Sequence, residues 1–390
     1  MYSGRLVFSQ VMDHLPYKPF TRIVEKYSGN YRVRKLTCRS QFYCMAFGQL
    51  TYRNSLRDIV TSLRAHRSKL YHMGIRGGVS RNNLSNANMQ RDWHIYAEFA
   101  QVLINIARKL YADEQFCNEI KEPVYALDST TISLSLSLFP WAEFRESRGA
   151  IKLHTLIELP SSIPTFIDIT EAKPHDVNVL DRLFIEPGAY YIMDKGYMDF
   201  ARLYRITTSG AFFVTKVKRN IKLKRRYSHQ RDSSAGILSD QTVVAEQEYS
   251  FVNYPAPLRR VRFRDPMDGR VFAFLTNNFD LPAITIADLY KARWQIELFF
   301  KWIKQHLRIK SFWGHTMNAV KTQIWIAVSV YVLVAIIRKR LDLEHLTLYS
   351  ILQVLSVSTL SDDVLPQLFK DSELQLADYN ITNQLSLFDL

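Results

Sequence analysis

TIADLYKARWQIELFFKWIKQHLRIKSF, residues Thr285–Phe312, has the spacing of a helix with two unlike faces. At about 100° per residue, Tyr290, Arg293, Glu297 and Lys304 fall near roughly 0°, −60°, −20° and −40°, a single narrow polar strip. Leu289, Ile296, Phe300, Ile303 and Leu307 fall beside it, at roughly −80° to −140°, and form a stripe able to pack on a core. Taken alone, the strip reads most simply as a solvated face. It carries an Arg293–Glu297 pair at i,i+4 in the less favourable base-before-acid order. Its other reading is a carboxylate flanked by cations and a phenol, the set that phosphoryl transfer on a polyanion requires.

Two acids upstream bear on that choice, because each interrupts an apolar strand. Asp128 follows Val-Tyr-Ala-Leu and Asp194 follows Tyr-Tyr-Ile-Met. A carboxylate in such a place costs several kcal/mol unless it is paired, hydrogen-bonded or bound to a metal. Gly196 marks a strand-end turn, and open sheets place their sites at strand ends. Asp128, Asp194 and Glu297 together would make an oxygen-only set suited to Mg²⁺. Two such ions can clamp the attacking and leaving oxygens of an in-line transfer. For either aspartate alone, a strand-end cap or ion pair is the simpler account. Their joint occurrence with the helix carries the case.

The chain has 390 residues, 47% apolar and 23% charged, enough for two or three folded domains and against disorder. Its net charge of +14 is uneven: residues 1–100 hold sixteen Lys/Arg against five Asp/Glu. So concentrated a basic field points to nucleic acid or an anionic membrane surface. Three cysteines, Cys38, Cys44 and Cys117, give no disulfide framework and fit a reducing compartment. The first residues lack the apolar region of a signal peptide. The longest apolar run, Ile324–Ile337, is shorter than the roughly 20 residues of a spanning helix, so a buried core helix is expected. These features together place the chain in the cytoplasm, with no membrane partner.

Residues 1–115 read as a helical domain. Ser55–Leu70 is a basic amphipathic segment, MGIRGGVS breaks it, and Ser80 is an N-cap for a long stretch to Ala112. Helix-turn-helix DNA binding and a plain bundle with a basic surface fit this pattern about equally; the charge excess favours DNA. From Glu122 the period becomes two. VYALDSTTISLSL, GAIKLHTLIEL, PTFIDITEA, AYYIMD and AFFVTKVK read as strands, with short helices at DVNVLDRLF and FARLYRITTSG, a mixed α/β architecture. Residues 216–285 read as a β-rich insertion opening on KVKRNIKLKRR, seven Lys/Arg in eleven positions. Lys216, Lys218, Arg219 and Lys222 there would attract phosphate, although a charge run is usually only a solvated face. EYSFVNYPAP, RRVRFRD and RVFAFLTN read as a small β-subdomain, the last two joined by a Pro-Met-Asp-Gly hairpin turn. Residues 120–342 make the central domain, and 343–390 form a C-terminal region, a candidate for oligomerisation.

Tyr290, Arg293, Glu297 and Lys304 match the Y-x-x-R-x-x-x-E-x(6)-K signature, and the chain resembles the DDE transposases of bacterial insertion sequences that carry it. LDST around Asp128, MDKGY around Asp194, KLHTLIEL and the β-rich insertion are similar to the same family. The resemblance spans roughly residues 120–340, and residues 1–110 resemble the helical N-terminal domain of such enzymes. It implies an α/β, ribonuclease-H-like mixed sheet flanked by helices, with Asp128, Asp194 and Glu297 binding two Mg²⁺ (or Mn²⁺) ions. The implied reaction is cut-and-paste transposition: cleavage of transposon ends, commonly through a hairpin, then strand transfer to target DNA by a synaptic homodimer. Arg293 and Lys304 would hold end phosphates, Tyr290 would contact the strand near the scissile phosphate, and Lys195 would lie at the second aspartate. Lys195 departs from the usual Arg of that motif, keeping charge without bidentate geometry. Some relatives stack a flipped base on a Trp in the insertion, whereas residues 212–290 contain none. Tyr249, Phe251, Tyr254, Phe263 and Phe272 are the aromatic alternatives. A ribonuclease-H-like nuclease without strand transfer, and a non-catalytic DNA-binding relative, remain the competing readings.

Overall fold

The structure is a computed structural model that describes residues 5–145, 148–173, 175–306 and 312–376. The chain forms two compact units, one of Met1–Tyr111 with Trp302–Leu390, the other of Ala112–Lys301. The first opens with six helices: α1 (Val7–Met12), α2 (Tyr17–Lys26), α3 (Cys38–Leu50), α4 (Leu56–Ala65), α5 (Arg81–Gln90) and α6 (His94–Leu110). Ser55 and Ser80 cap α4 and α5, their hydroxyls accepting the N–H groups of Asp58 at 3.1 Å and Asn83 at 3.2 Å. The long stretch expected from Ser80 to Ala112 is two helices. It breaks where Arg91 turns extended and its guanidinium donates to Gln41 at 2.7 Å and to the Leu36 carbonyl. Between α4 and α5 the chain runs from His66 to Ser80, far longer than the 3–4-residue turn of a tight helix-turn-helix, so that motif is not formed.

The second unit is built on one mixed sheet. Its strands are β1 (Val124–Leu134), β2 (Glu143–Arg145), β3 (Arg148–Glu158), β4 (Ile163–Glu171), β5 (Tyr190–Met193), β6 (Phe212–Lys216), β7 (Leu223–Ser228), β8 (Ile237–Ala245), β9 (Leu258–Arg264) and β10 (Val271–Thr276). They run in the order β2-β3-β1-β5-β6-β10-β9-β8-β7, with β4 also paired to β3. β1, β5 and β6 are parallel neighbours, buried on both faces, which is why their sequences are nearly continuous apolar runs. Helix α7 (Phe200–Thr208) covers the face bearing Leu127, Met193 and Phe213. Gly210, at φ +74°, ends it: the Ala211 N–H reaches back to the Ile206 carbonyl at 3.1 Å, closing the turn that only a residue without Cβ adopts freely. Helix α8 (Glu248–Asn253) replaces the strand expected at EYSFVN. The insertion forms no separate β-subdomain either. Strand β10 pairs with β6, so β7–β10 extend the main sheet, and the expected hairpin joins β9 to β10.

Helices α9 (Ala283–Ala292) and α10 (Trp294–His306) follow. The single helix expected across Thr285–Phe312 tightens at Arg293, where i→i−3 bonds of 3.2 and 3.1 Å flank the residue. Leu289, Ile296, Phe300 and Ile303 are buried as expected; Leu307 lies outside the described residues. Helix α11 (Met317–Arg340) returns to the first unit and packs against α3, α5 and α6. It is long and apolar enough to cross a membrane, yet its most apolar 18-residue window is 94% buried within the protein, the expected core helix. Helices α12 (Leu348–Ser358) and α13 (Leu365–Leu376) complete this unit, and α1 is pinned to that segment by Val7 N–H to Ser361 O and Phe8 N–H to Thr359 O, both 2.9 Å. Thus α11 belongs with the helices of the first unit rather than with the sheet to which the sequence had assigned it.

One buried ion pair holds the insertion strands to the start of α9. Arg259 on β9 meets Asp240 on β8 at 2.7 and 2.9 Å, with side chains 7% and 4% exposed, and donates to the Leu281 carbonyl at 2.6 Å. Replacing Asp240 by Ala strands a guanidinium in the core and is expected to cost about 3–5 kcal/mol, read as a lower denaturation midpoint of the sheet unit. The double replacement Asp240→Leu/Arg259→Met should recover most of that loss.

Candidate active site

Strand register brings two acids together. Leu127 on β1 stands opposite Met193 on β5 in a parallel pair, so the next residues, Asp128 within β1 and Asp194 just past the end of β5, stand side by side where the two strands part. Adjacent strands lie about 4.8 Å apart. Because side chains alternate, Asp128 shares a face with Ala126, Asp194 with Ile192, and Lys216 with Val214. That face is the one under α9, where the ring of Tyr290 meets Phe274 at a centroid distance of 4.8 Å.

Tyr290 is 7% exposed and donates its hydroxyl to Asp194 Oδ1 at 3.1 Å. Burial pushes its phenol well above the ordinary value, so it stays a neutral donor. Arg293, at the α9–α10 junction, donates Nη1 to Asp128 Oδ2 and Nη2 to Glu297 Oε1, both at 2.6 Å. Asp128 Oδ1 accepts the Ser129 N–H at 2.8 Å. Burial holds the Asp128 carboxyl above its ordinary value; the charges of Asp194 and Glu297 push the same way, while Arg293 and the Ser129 N–H oppose them. Lys216 lies 4.7 Å from the Phe272 ring centroid and 5.1 Å from that of Tyr290. Its amine is lowered by burial and by the cations Arg293, Lys195 and Arg270, against the pull of Asp194.

The expected residues therefore divide. Asp128, Asp194, Tyr290, Arg293, Glu297 and Lys216 share one network. Glu297 does not turn inward as expected: its side chain is 59% exposed and reaches Asp128 only through Arg293. Lys195, Arg219 and Lys222 are exposed, and Lys218 is half-buried, with its amine on the Met198 carbonyl at 2.9 Å. Lys304 is half-buried, farther along α10. Among the aromatic alternatives, Tyr254 and Phe263 are core residues, whereas Tyr249 and Phe251 are exposed on α8. Trp294, outside the expected set, is 53% exposed one residue past Arg293, with Leu298 46% exposed one turn on. The signal was available, since both fall on the polar side of the helical wheel.

The donor set is all oxygen, which suits a hard divalent cation. Among the described residues, however, no three His, Cys, Asp or Glu groups converge closely enough to hold a metal ion. The match to such an ion is therefore one of donor chemistry: the Arg293 guanidinium lies between Asp128 and Glu297 and is the cation that balances them in this arrangement.

The two bonds of Arg293 should differ in strength. Its pair with Asp128 is 15% and 21% exposed, against 59% at Glu297. Arg293→Met is expected to destabilise the sheet unit by on the order of 2–3 kcal/mol, by leaving a buried carboxylate unpaired. Glu297→Gln should cost under about 1 kcal/mol. Urea midpoints of the two variants measure the contrast.

Residues 119–333 match the family described as "Transposase DDE domain", and residues 3–76 match a domain of unknown function, DUF4372. A protein of Sinorhizobium fredii described as a transposase, y4zB, is 37% identical over 258 residues, 65% of this chain and 70% of its own length. A protein of Geobacillus stearothermophilus described as a transposase for insertion sequence element IS5377 is 32% identical over 212 residues, 54% of this chain and 56% of its own. One solved structure, a piggyBac transposase synaptic complex with hairpin DNA, aligns over 96% of this chain and 80% of that one at 9% identity and a TM-score of 0.42, too distant to carry an argument. With the matched region spanning Asp128, Asp194 and the Glu297 helix, the chain belongs to the DDE transposase domain family, that of insertion-sequence transposases.

Proposed function

We propose that the protein moves an insertion sequence by cut-and-paste transposition, with Asp128, Asp194 and Glu297 as the metal-binding, catalytic carboxylates. The observation that carries this reading is the parallel register that sets Asp128 beside Asp194 under the Tyr290–Glu297 segment. The strand order β4-β3-β1-β5-β6, three antiparallel strands continued by two parallel ones, supports a ribonuclease-H-like core. The partners are transposon-end and target DNA in the bacterial cytoplasm, handled by a synaptic homodimer.

Asp128, Asp194 and Glu297 would hold two Mg²⁺ or Mn²⁺ ions, which when bound supply Lewis acidity toward the scissile phosphate. The chain's own residues do the rest. Tyr290 orients the Asp194 carboxylate through its hydroxyl. Arg293 neutralises Asp128 and Glu297 at rest; its two-nitrogen fork is equally suited to a phosphate, and exchanging carboxylate for DNA would turn it into a phosphate clamp. Lys304 adds a second cation on the same helix. Lys195, Lys216, Lys218, Arg219 and Lys222 lie at or beyond the strand ends and would follow the DNA backbone. Exposed Tyr249, Phe251 and Trp294 offer a ring to a base displaced at a hairpin end.

The test uses a plasmid carrying the reading frame with its flanking DNA, incubated with the protein and Mg²⁺. Cleavage at the element ends and joined products are expected; hairpin ends would run as strands of doubled length on a denaturing gel. Asp128→Asn, Asp194→Asn and Glu297→Gln should each lower cleavage about 10³-fold, the equivalent of several kcal/mol of lost transition-state stabilisation. Cleavage that survives all three substitutions refutes the assignment. Cleavage without joined product marks a nuclease, and metal-independent DNA binding without cleavage marks a non-catalytic relative.

A further inference from the structure

Helix α5 has a composition that a merely solvated helix would not favour. Its sequence, RNNLSNANMQ, holds four Asn in ten residues and no acid. Asn is a poor helix former, roughly 0.5–0.7 kcal/mol worse than Ala, and exposed helix faces ordinarily carry Glu, Lys or Arg. On a wheel of 100° per residue, Asn82, Asn83, Met89 and Gln90 fall within about 60° of Asn86. All five are exposed. Leu84, Ala87 and Asn88 fall on the opposite side and are buried.

The buried side is firmly held. Asn88 accepts from Gln41 at 2.7 Å, and Asn318 donates to the carbonyls of Asn88 at 2.8 Å and Arg91 at 2.6 Å. Around the outer face cations predominate, and Asp92, 2.7 Å from His94 Nδ1, is the one acid lining either of the two clefts there. Between Tyr27 and Arg91 the sequence has twelve Lys/Arg and a single acid, Asp58. A cleft of about 950 Å³ is lined by Lys35, Arg64, Arg67, Arg76 and Asn83, and a second of about 730 Å³ by Arg34, Lys35, Asn83, Asn86 and Gln90. Arg34, Lys35, Arg64, Arg67 and Arg76 are exposed and make no ion pair among the described residues.

We infer that α5 is a base-reading helix that enters the major groove of duplex DNA, with these cations on the flanking phosphates. A helix is about 10–12 Å across with its side chains and so fits a groove about 12 Å wide, and ten residues give it about 15 Å of length to lay there. Asn and Gln amides present the donor–acceptor pair that matches the adenine edge, and Met89 offers an apolar contact for a thymine methyl. The expected site is therefore a short run containing A·T pairs. The inference rests on the DNA-acting reading above, but it concerns binding, not cleavage.

The test is selection from a pool of randomised duplexes by the full-length protein in EDTA. Wild type is expected to enrich a motif, and Asn82→Ala/Asn83→Ala/Asn86→Ala should lose several adjacent A·T positions of it, with its preference over scrambled duplex falling at least about tenfold. Alanine at exposed helix positions favours the helix, so the variant should fold. Asn86→Asp alone should shift one position from A to C, the base whose amino group a carboxylate accepts. Arg34→Ala/Lys35→Ala/Arg76→Ala should weaken binding to all duplexes alike and reduce the salt slope by about 3. The inference is overturned if wild type enriches nothing, or if the Asn variants keep the wild-type motif and preference. Wild type that enriches a motif in EDTA yet shows no cleavage with Mg²⁺ would refute the catalytic reading and leave this one standing.

Discussion

The parallel pairing of β1 with β5 is the constraint on which the site depends. With Leu127 opposite Met193, the sheet's spacing alone brings Asp128 and Asp194 together, and strand alternation turns them to one face. A slip of one residue would turn one of the two carboxylates to the other face of the sheet, into the apolar cluster beneath α7. The fully buried residues around both strands, worth about 1.5–3 kcal/mol for each large side chain, therefore also specify where the acids stand.

That juxtaposition is electrostatically unfavourable, and Arg293 relieves it. Its guanidinium reaches Asp128 and Glu297 at once because the chain tightens between α9 and α10, aiming the side chain at both carboxylates. The start of α9 is in turn tied down by Arg259, whose charge is matched by Asp240. The insertion strands thus contribute to the site by fixing the helix that carries Tyr290 and Arg293. In the proposed function a DNA phosphate takes the place of this resting ion pair, which would join the stability of the sheet unit to its action on DNA.

The helical unit separates its tasks differently. An apolar helix, α11, forms the centre, and its burial frees the surrounding helices from needing strong propensities of their own. This is what permits α5 to carry an Asn-rich outer face that contributes little to folding. Seven of the sixteen Lys/Arg of the first hundred residues line the two clefts beside that face.

By itself, the sequence determined the elements whose signal is local. The strand that carries Asp128, the strand that leads to Asp194, the cap Ser80, the hairpin before β10 and the buried stripe of α10 follow from alternation, turn residues and helical period. The α/β class and the family were legible for the same reason, since the signature residues recur at helical spacing. Only the tertiary structure decided what depends on partners distant in the chain. The insertion joined the main sheet because β10 found the open edge of β6; α8 formed where a strand was expected; and Arg91 split one helix into two through bonds to Gln41 and Leu36. Glu297 points outward because Arg293 can reach Asp128 and Glu297 together, a geometry that no helical wheel contains.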